Sequence, residues 1–215
     1  MEFLDKLNIK IQDQKLYDKA LTHSSYTNEH GGDNYERLEF LGDAVLQIII
    51  SEYYYLNADF NEGEMSKKRA SYVCEAALAS YANKINIKEY IKVGEGQRKA
   101  VNDTIMADVF EAIIAAIYLE NGLEIASKFI YSVVIPYIES EEIFFGDYKS
   151  LLQELTQTTK KNLEYVLISE VGPPHSKIFE VEARIDNMIY GRGKGKSKKE
   201  AEQQAALDAY KKSAK

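Results

Sequence analysis

The stretch from Tyr35 to Ile50 reads YERLEFLGDAVLQIII. Its apolar residues recur every three or four positions, the spacing of a helix with one face against a core. Laid out at about 100° per residue from Glu36, the residues Leu38, Leu41, Val45, Ile48 and Ile49 gather between about 120° and 220°. Glu39 falls at about 300° and Asp43 at about 340°, so three carboxylates share one stripe with the core expected on the other side. A second helical segment, Thr104 to Leu119, repeats the device. There Asp108 and Glu111 sit about 60° apart, while Val109, Phe110, Ile113 and Ile117 point away. Like charges at these spacings cost a few tenths of a kcal/mol per exposed pair, and in a cleft they raise each other's pKa. A divalent cation would remove that cost, because hard oxygen ligands from two helices plus water are what Mg²⁺ accepts. Acidic residues on a helix are more often solvated surface, so periodicity alone leaves both readings open.

Around this stretch, Leu16 to Tyr137 reads as helix after helix. The expected segments are Lys15–Ala20, Glu36–Leu56, Lys67–Lys84, Lys88–Val93, Thr104–Asn121 and Leu123–Glu139. Gly31-Gly32, Asn61-Glu62-Gly63, Gly94-Glu95-Gly96 and Asn121-Gly122 supply the breaks. The acidic run Glu139-Ser140-Glu141-Glu142, with Gly146, reads as a linker over 141–146. It separates a helical domain over 1–140 from a second domain over 147–215. In the second domain a helix, Tyr148–Gln157, precedes alternating strands at Glu164–Val171, Ile178–Ile185 and Ile189–Arg192, with Lys198–Lys212 as a closing helix. The fold class expected is an all-α domain followed by a small α+β domain in α-β-β-β-α order.

The chain has 215 residues, 45% of them apolar and 28% charged, which excludes a disordered or collagen-like protein. No apolar run approaches the roughly 20 residues needed to cross a bilayer, so no membrane partner is expected. A single Cys, Cys74, and an amino terminus without an export pattern suggest a reducing, cytoplasmic setting. The net charge of −7 argues against a nucleic-acid partner only while it is taken as a whole. Residues 1–145 carry 14 Lys and Arg against 24 Asp and Glu, whereas residues 146–215 carry 13 against 10. The tail can hold a polyanion; the acidic part needs a cation between itself and phosphate.

The string ERLEFLGDAVL, Glu36 to Leu46, resembles the signature of the ribonuclease III family. ALTHSSY (Ala20–Tyr26), GEMSKKRASYV (Gly63–Val73) and ADVFEAIIAAIYLENG (Ala107–Gly122) resemble further blocks of that family, in its order. The last domain resembles a double-stranded-RNA-binding domain. The resemblance implies a helical catalytic domain that cuts double-stranded RNA with Mg²⁺, for which Mn²⁺ substitutes, and with no small-molecule cofactor. It assigns Glu39, Asp43, Asp108 and Glu111 as catalytic metal ligands, with Glu36 and Glu64 supporting the cleft. It implies a homodimer in which Phe40 enters the partner. The products expected are 5′-phosphate and 3′-hydroxyl ends with short 3′ overhangs, in ribosomal precursor and messenger RNA processing. Tyr35 stands where the family usually has Asn, and Gln47 where an acidic residue is frequent.

Within the tail, Ser197 and Glu200 form an S-x-x-E capping box that would present backbone amides to phosphate, reinforced by Lys196, Lys198 and Lys199. By resemblance, Gln153, Glu154 and Gln157 reach one minor groove of an RNA duplex, and His175 in the Pro173–Lys177 loop reaches the next. Glu202 occupies a position that is often basic. A duplex-binding protein that does not cut is the rival reading, and the retention of all four carboxylates argues against it.

Overall fold

The computed structural model describes residues 1–97, 101–142, 144, 148–173 and 177–213, without the side chains of Gln97, Ser150, Glu154 and Ser213. The chain divides into two compact units, Met1–Glu142 and Ile143–Lys215. The first is built of helices: α1 (Glu2–Asp5), α2 (Gln14–Ala20), α3 (Ser24–His30), α4 (Glu36–Asn57), α5 (Glu62–Tyr72), α6 (Glu75–Lys84), α7 (Asp103–Val133) and α8 (Ile135–Glu139). Its centre is α7. From Ile105 to Ile117 every residue of α7 is buried except the half-buried Asp108. A helix apolar on all sides must be wrapped by others, and α4, α6, α2 and α8 surround it. Asn102 starts α7 by accepting the Ile105 N–H at 3.1 Å. Gly122, at φ 80° and ψ 176°, breaks it where Asn121-Gly122 is expected to.

Several expected boundaries shift for local reasons. The single helix expected over Lys67–Lys84 is two, because Cys74 is extended at φ −76° and ψ 157° and caps α6 instead of lying inside a helix. The Tyr81 hydroxyl spans the break, donating to the Tyr72 carbonyl at 3.2 Å. Helix α5 starts earlier than the apolar spacing suggests because Asn61 and Glu64 close a capping box. The helix expected at Lys88–Val93 is a 3₁₀ turn over Ile87–Tyr90. Beyond it, the Lys92 backbone is drawn into pairing with Leu21 and His23, at 2.8 and 2.9 Å. Helix α3 has no counterpart in the sequence reading.

The second unit runs α9 (Tyr148–Thr158), β1 (Leu163–Val171), β2 (Ile178–Ile185), β3 (Met188–Gly195) and α10 (Lys198–Ser213), as the α-β-β-β-α reading expects. The strands form an antiparallel sheet in the order β1-β2-β3. Asp186 and Asn187 turn β2 into β3 with φ of 50° and 65°, the left-handed pair that tight hairpins need. One sheet face packs Val181, Ala183 and Ile185 against Leu152 of α9 and Ala201, Ala205 and Ala209 of α10.

The alternation Gly191-x-Gly193-x-Gly195 on β3 faces the four-residue alanine repeat of α10. A Cβ on Gly193 would lie 2.2 Å from the Ala205 nitrogen and 2.3 Å from the Ala201 carbonyl oxygen. Glycine on one side and alanine on the other let helix and strand backbones touch. Gly193→Ala in the full chain should therefore lower the stability of this unit by about 1–3 kcal/mol, read as an earlier urea transition of the tail unit's tyrosine signal.

Candidate active site and duplex-binding surface

Helix α4 crosses α7 at Gly42. A Cβ placed there would lie 1.8 Å from the Glu111 carbonyl oxygen, so the two backbones meet at a distance only glycine permits. This approach brings Glu39 and Asp43, which flank Gly42 on α4, beside Asp108 and Glu111 of α7. The buried face of α4 comprises Leu38, Gly42, Val45, Leu46, Ile49, Ile50 and Tyr54. That face is rotated from the expected one: Ile48 is 58% exposed, while Leu46 and Ile50 are buried in its place. The carboxylates consequently border the helix–helix contact, where the sequence reading put them opposite the core.

The electrostatics follow from that placement. Glu111 is only 9% exposed, and no hydrogen bond or ion pair reaches its carboxylate among the described residues. Burial first, then the charges of Asp43, Glu39 and Asp108, push its carboxyl up to about 8. Glu39 is raised by burial and by Asp108, Glu36 and Asp43. Asp108 is raised chiefly by burial, with the Tyr35 hydroxyl opposing and Glu75 adding to the rise. The four groups therefore feel one another. Among the described residues, however, no three His, Cys, Asp or Glu side chains stand close enough to chelate an ion as they are.

Two neutral donors each bond one member of the set. Gln47 Nε2 donates to both oxygens of Asp43, at 2.8 and 3.0 Å, turning that carboxylate along its own helix. The Tyr35 hydroxyl donates to Asp108 Oδ2 at 3.0 Å. Glu36 is exposed at the start of α4. Glu64 is engaged elsewhere: its carboxylate accepts the Asn61 N–H at 2.9 Å in the α5 capping box, and it is not among the groups that raise Glu39, Asp108 or Glu111. Glu75, which the sequence reading missed, opens α6 next to Asp108; its signal was an acidic residue at a helix start. His23 caps α3, its Nδ1 accepting the Ser25 N–H at 3.1 Å.

In the second unit, α9 turns Leu152 and Thr156 inward and leaves Gln153 and Gln157 exposed one turn apart. Glu154's side chain and His175 lie outside the described residues. Lys196, Lys198 and Lys199 are all exposed at the entrance to α10, and none has an ion-pair partner among the described residues. The expected capping box closes differently. Ser197 Oγ accepts the Glu200 N–H at 3.1 Å, but the Glu200 carboxylate takes the Lys196 N–H at 2.6 Å. Glu202 is paired with Lys149 at 2.5 Å, and that ammonium also lies 4.7 Å from the Tyr165 ring centre.

Residues 13–138 match the family described as ribonuclease-III-like, and residues 148–213 match the double-stranded RNA binding motif. The class is thus a helical nuclease domain joined to an RNA-binding module. The chain is 43% identical over 213 residues to ribonuclease 3 of Onion yellows phytoplasma, covering 97% of this chain and 89% of that one. It is 42% identical to ribonuclease 3 of Listeria welshimeri, covering 95% and 93%. The nuclease domain of Campylobacter jejuni ribonuclease III, described as flexible in a region involved in dimer formation, superposes with a TM-score of 0.58 at 36% identity. That superposition covers 62% of this chain and 94% of the Campylobacter one. The chain belongs to the ribonuclease III family, and it is an endoribonuclease.

The raised Glu111 carboxyl carries a stability signature. The folded protein holds a proton on Glu111 up to about pH 8, whereas the unfolded chain releases it near 4.5. The folded state thus binds more protons across that window, so its stability falls as pH rises through it. Metal-free protein should lose thermal stability between those two pH values, and Glu111→Gln should flatten that slope and be the more stable form at pH 8 and above, measured by calorimetry in EDTA.

Proposed function

We propose that this protein hydrolyses double-stranded RNA with Mg²⁺, leaving 5′-phosphate and 3′-hydroxyl ends with short 3′ overhangs. The observation that carries the reading is the α4–α7 crossing, which gathers Glu39, Asp43 and Asp108 around Glu111 and leaves Glu111 without a donor among the described residues. An all-oxygen anionic donor set suits a hard divalent cation. Glu39, Asp43, Asp108 and Glu111 would hold it, with Mn²⁺ as a substitute. When bound, the ion would lower the pKa of a bound water and offset charge on the scissile phosphate. The chain's residues do the rest. Glu111, mostly protonated at pH 7, must release its proton to become a ligand, which couples cation affinity to pH. Asp43 must turn from Gln47 to join the set. Hydrolysis adds water oxygen to phosphorus and breaks the P–O3′ bond, so the phosphate stays on the 5′ end.

The tail supports duplex recognition. Three exposed lysines at the start of α10 meet phosphates, and Gln153 and Gln157 on α9 face the shallow minor groove of A-form RNA. Glu154 and His175 belong to the same proposed surface. The exposed apolar side of α4, with Phe40 and Ile48, suits a second copy of the chain, giving a homodimer that cuts one strand per subunit. Ribosomal precursor and messenger RNA processing in the cytoplasm is the proposed setting.

Glu111→Gln and Asp43→Asn should each keep duplex binding and lose Mg²⁺-dependent cleavage by several orders of magnitude, measured on end-labelled duplex RNA. Cleavage by either variant at near the unmodified rate sinks the site assignment. Replacing Lys196, Lys198 or Lys199 by Ala should reduce the slope of log affinity against log salt by about 1 per lysine, measured by fluorescence anisotropy with a duplex in Ca²⁺.

A further inference from the structure

Tyr35 is held at both ends. Its backbone N–H donates to the Thr22 carbonyl at 3.0 Å, its ring is 3% exposed, and that ring lies 5.7 Å from the His23 ring, centre to centre. The residue caps the start of α4, yet its hydroxyl crosses to α7 and donates to Asp108 Oδ2 at 3.0 Å. Of the four clustered carboxylates, Asp108 alone receives a hydrogen bond from outside its own helix, among the described residues. Asp43 is bonded by Gln47 one turn along α4, and Glu39 and Glu111 receive none. A carboxylate offers about four lone-pair positions, so the phenol leaves Oδ1 and part of Oδ2 available.

We infer that Tyr35 is a positioning residue for Asp108: its hydroxyl fixes the carboxylate's orientation across the α4–α7 seam so that Oδ1 is presented to the cation. The inference rests on the metal-site reading above. A neutral donor orients the carboxylate without cancelling the negative charge that draws the ion. Outer partners of metal-ligating carboxylates are typically worth 10- to 100-fold in metal affinity.

The test uses Mn²⁺ as the probe, titrated into metal-free full-length protein without RNA and followed by the electron paramagnetic resonance signal of the free ion. Tyr35→Phe keeps the ring and its packing on His23 and removes only the hydroxyl. It should weaken Mn²⁺ binding by about 10-fold, and raise the Mn²⁺ concentration for half-maximal cleavage similarly while kcat at saturating Mn²⁺ largely recovers. Asp108→Asn is the reference. If Asp108→Asn weakens binding and Tyr35→Phe does not, the positioning role is overturned; if Asp108→Asn has no effect, the metal-site reading itself fails. A measurement on the unmodified protein guards against a misfolded variant. The ring Cζ resonance of carbon-labelled Tyr35 should shift when Mg²⁺ is added, and an unmoved resonance at saturating Mg²⁺ overturns the inference.

Discussion

The contact on which the catalytic unit depends is the crossing of α4 over α7 at Gly42. It is a steric constraint before it is anything chemical. With no Cβ at Gly42, the α4 backbone comes down onto the Glu111 carbonyl, and the residues on either side of the glycine are carried into range of Asp108 and Glu111. Any side chain at that point would push the helices apart and separate the acidic groups along with them. Because α7 is buried on nearly every side, Glu111 has little recourse to water. Its pKa of about 8 against a usual 4.5 makes the ionised form cost about 5 kcal/mol, and protonation limits that to about 3 kcal/mol at pH 7. The buried Ile, Val, Phe and Met side chains of α7, each contributing roughly 1.5–3 kcal/mol on burial, outweigh this cost several times over. A helix that buries so many of them can hold a carboxylate in an unfavourable place.

The two units solve different problems with the same steric device. In the catalytic unit one glycine lets two helices meet so that charges gather. In the tail three glycines on β3 let a strand meet α10 through its alanine repeat, and the outcome there is a thin, firm platform. The platform leaves Lys196, Lys198 and Lys199 exposed at the entrance to α10. Glu200, in the first turn of α10, spends its carboxylate on the Lys196 backbone. Glu202 is offset by Lys149. Among the described residues no carboxylate forms an ion pair with these three lysines, although Glu170 feels the charge of Lys198.

The neighbourhood of the acidic groups is set by neutral donors as well as by charge. Gln47 adds an amide donor to Asp43 where another acid would add repulsion, and Tyr35 adds a hydroxyl to Asp108. Both are neutral, so both hold a carboxylate without supplying positive charge. Glu75 works the other way, bringing a further anion toward Asp108 from the first turn of α6.

Much of this was legible in the amino-acid order. The carboxylates at one helical spacing, the tail's alternation of strands between two helices, and the break at Asn121-Gly122 all follow from local rules, since periodicity, turn residues and caps act over a few residues. The neighbours across a seam do not. Apolar spacing marked a face of α4 but not which part of it would be covered, and Ile48 remains exposed because α7 approaches over Gly42. Nothing in the spacing of Asp108 and Glu111 told that one would be half-buried and the other nearly sealed, because that depends on α4 and α6 closing over α7. Tyr35 and Gln47 were visible as departures, yet their bonds to carboxylates, one of them spanning from residue 35 to residue 108, exist only once the helices are packed. Residue types and their spacing along one helix are properties of the chain; burial, and with it the protonation of Glu111, belongs to the helices that pack around it.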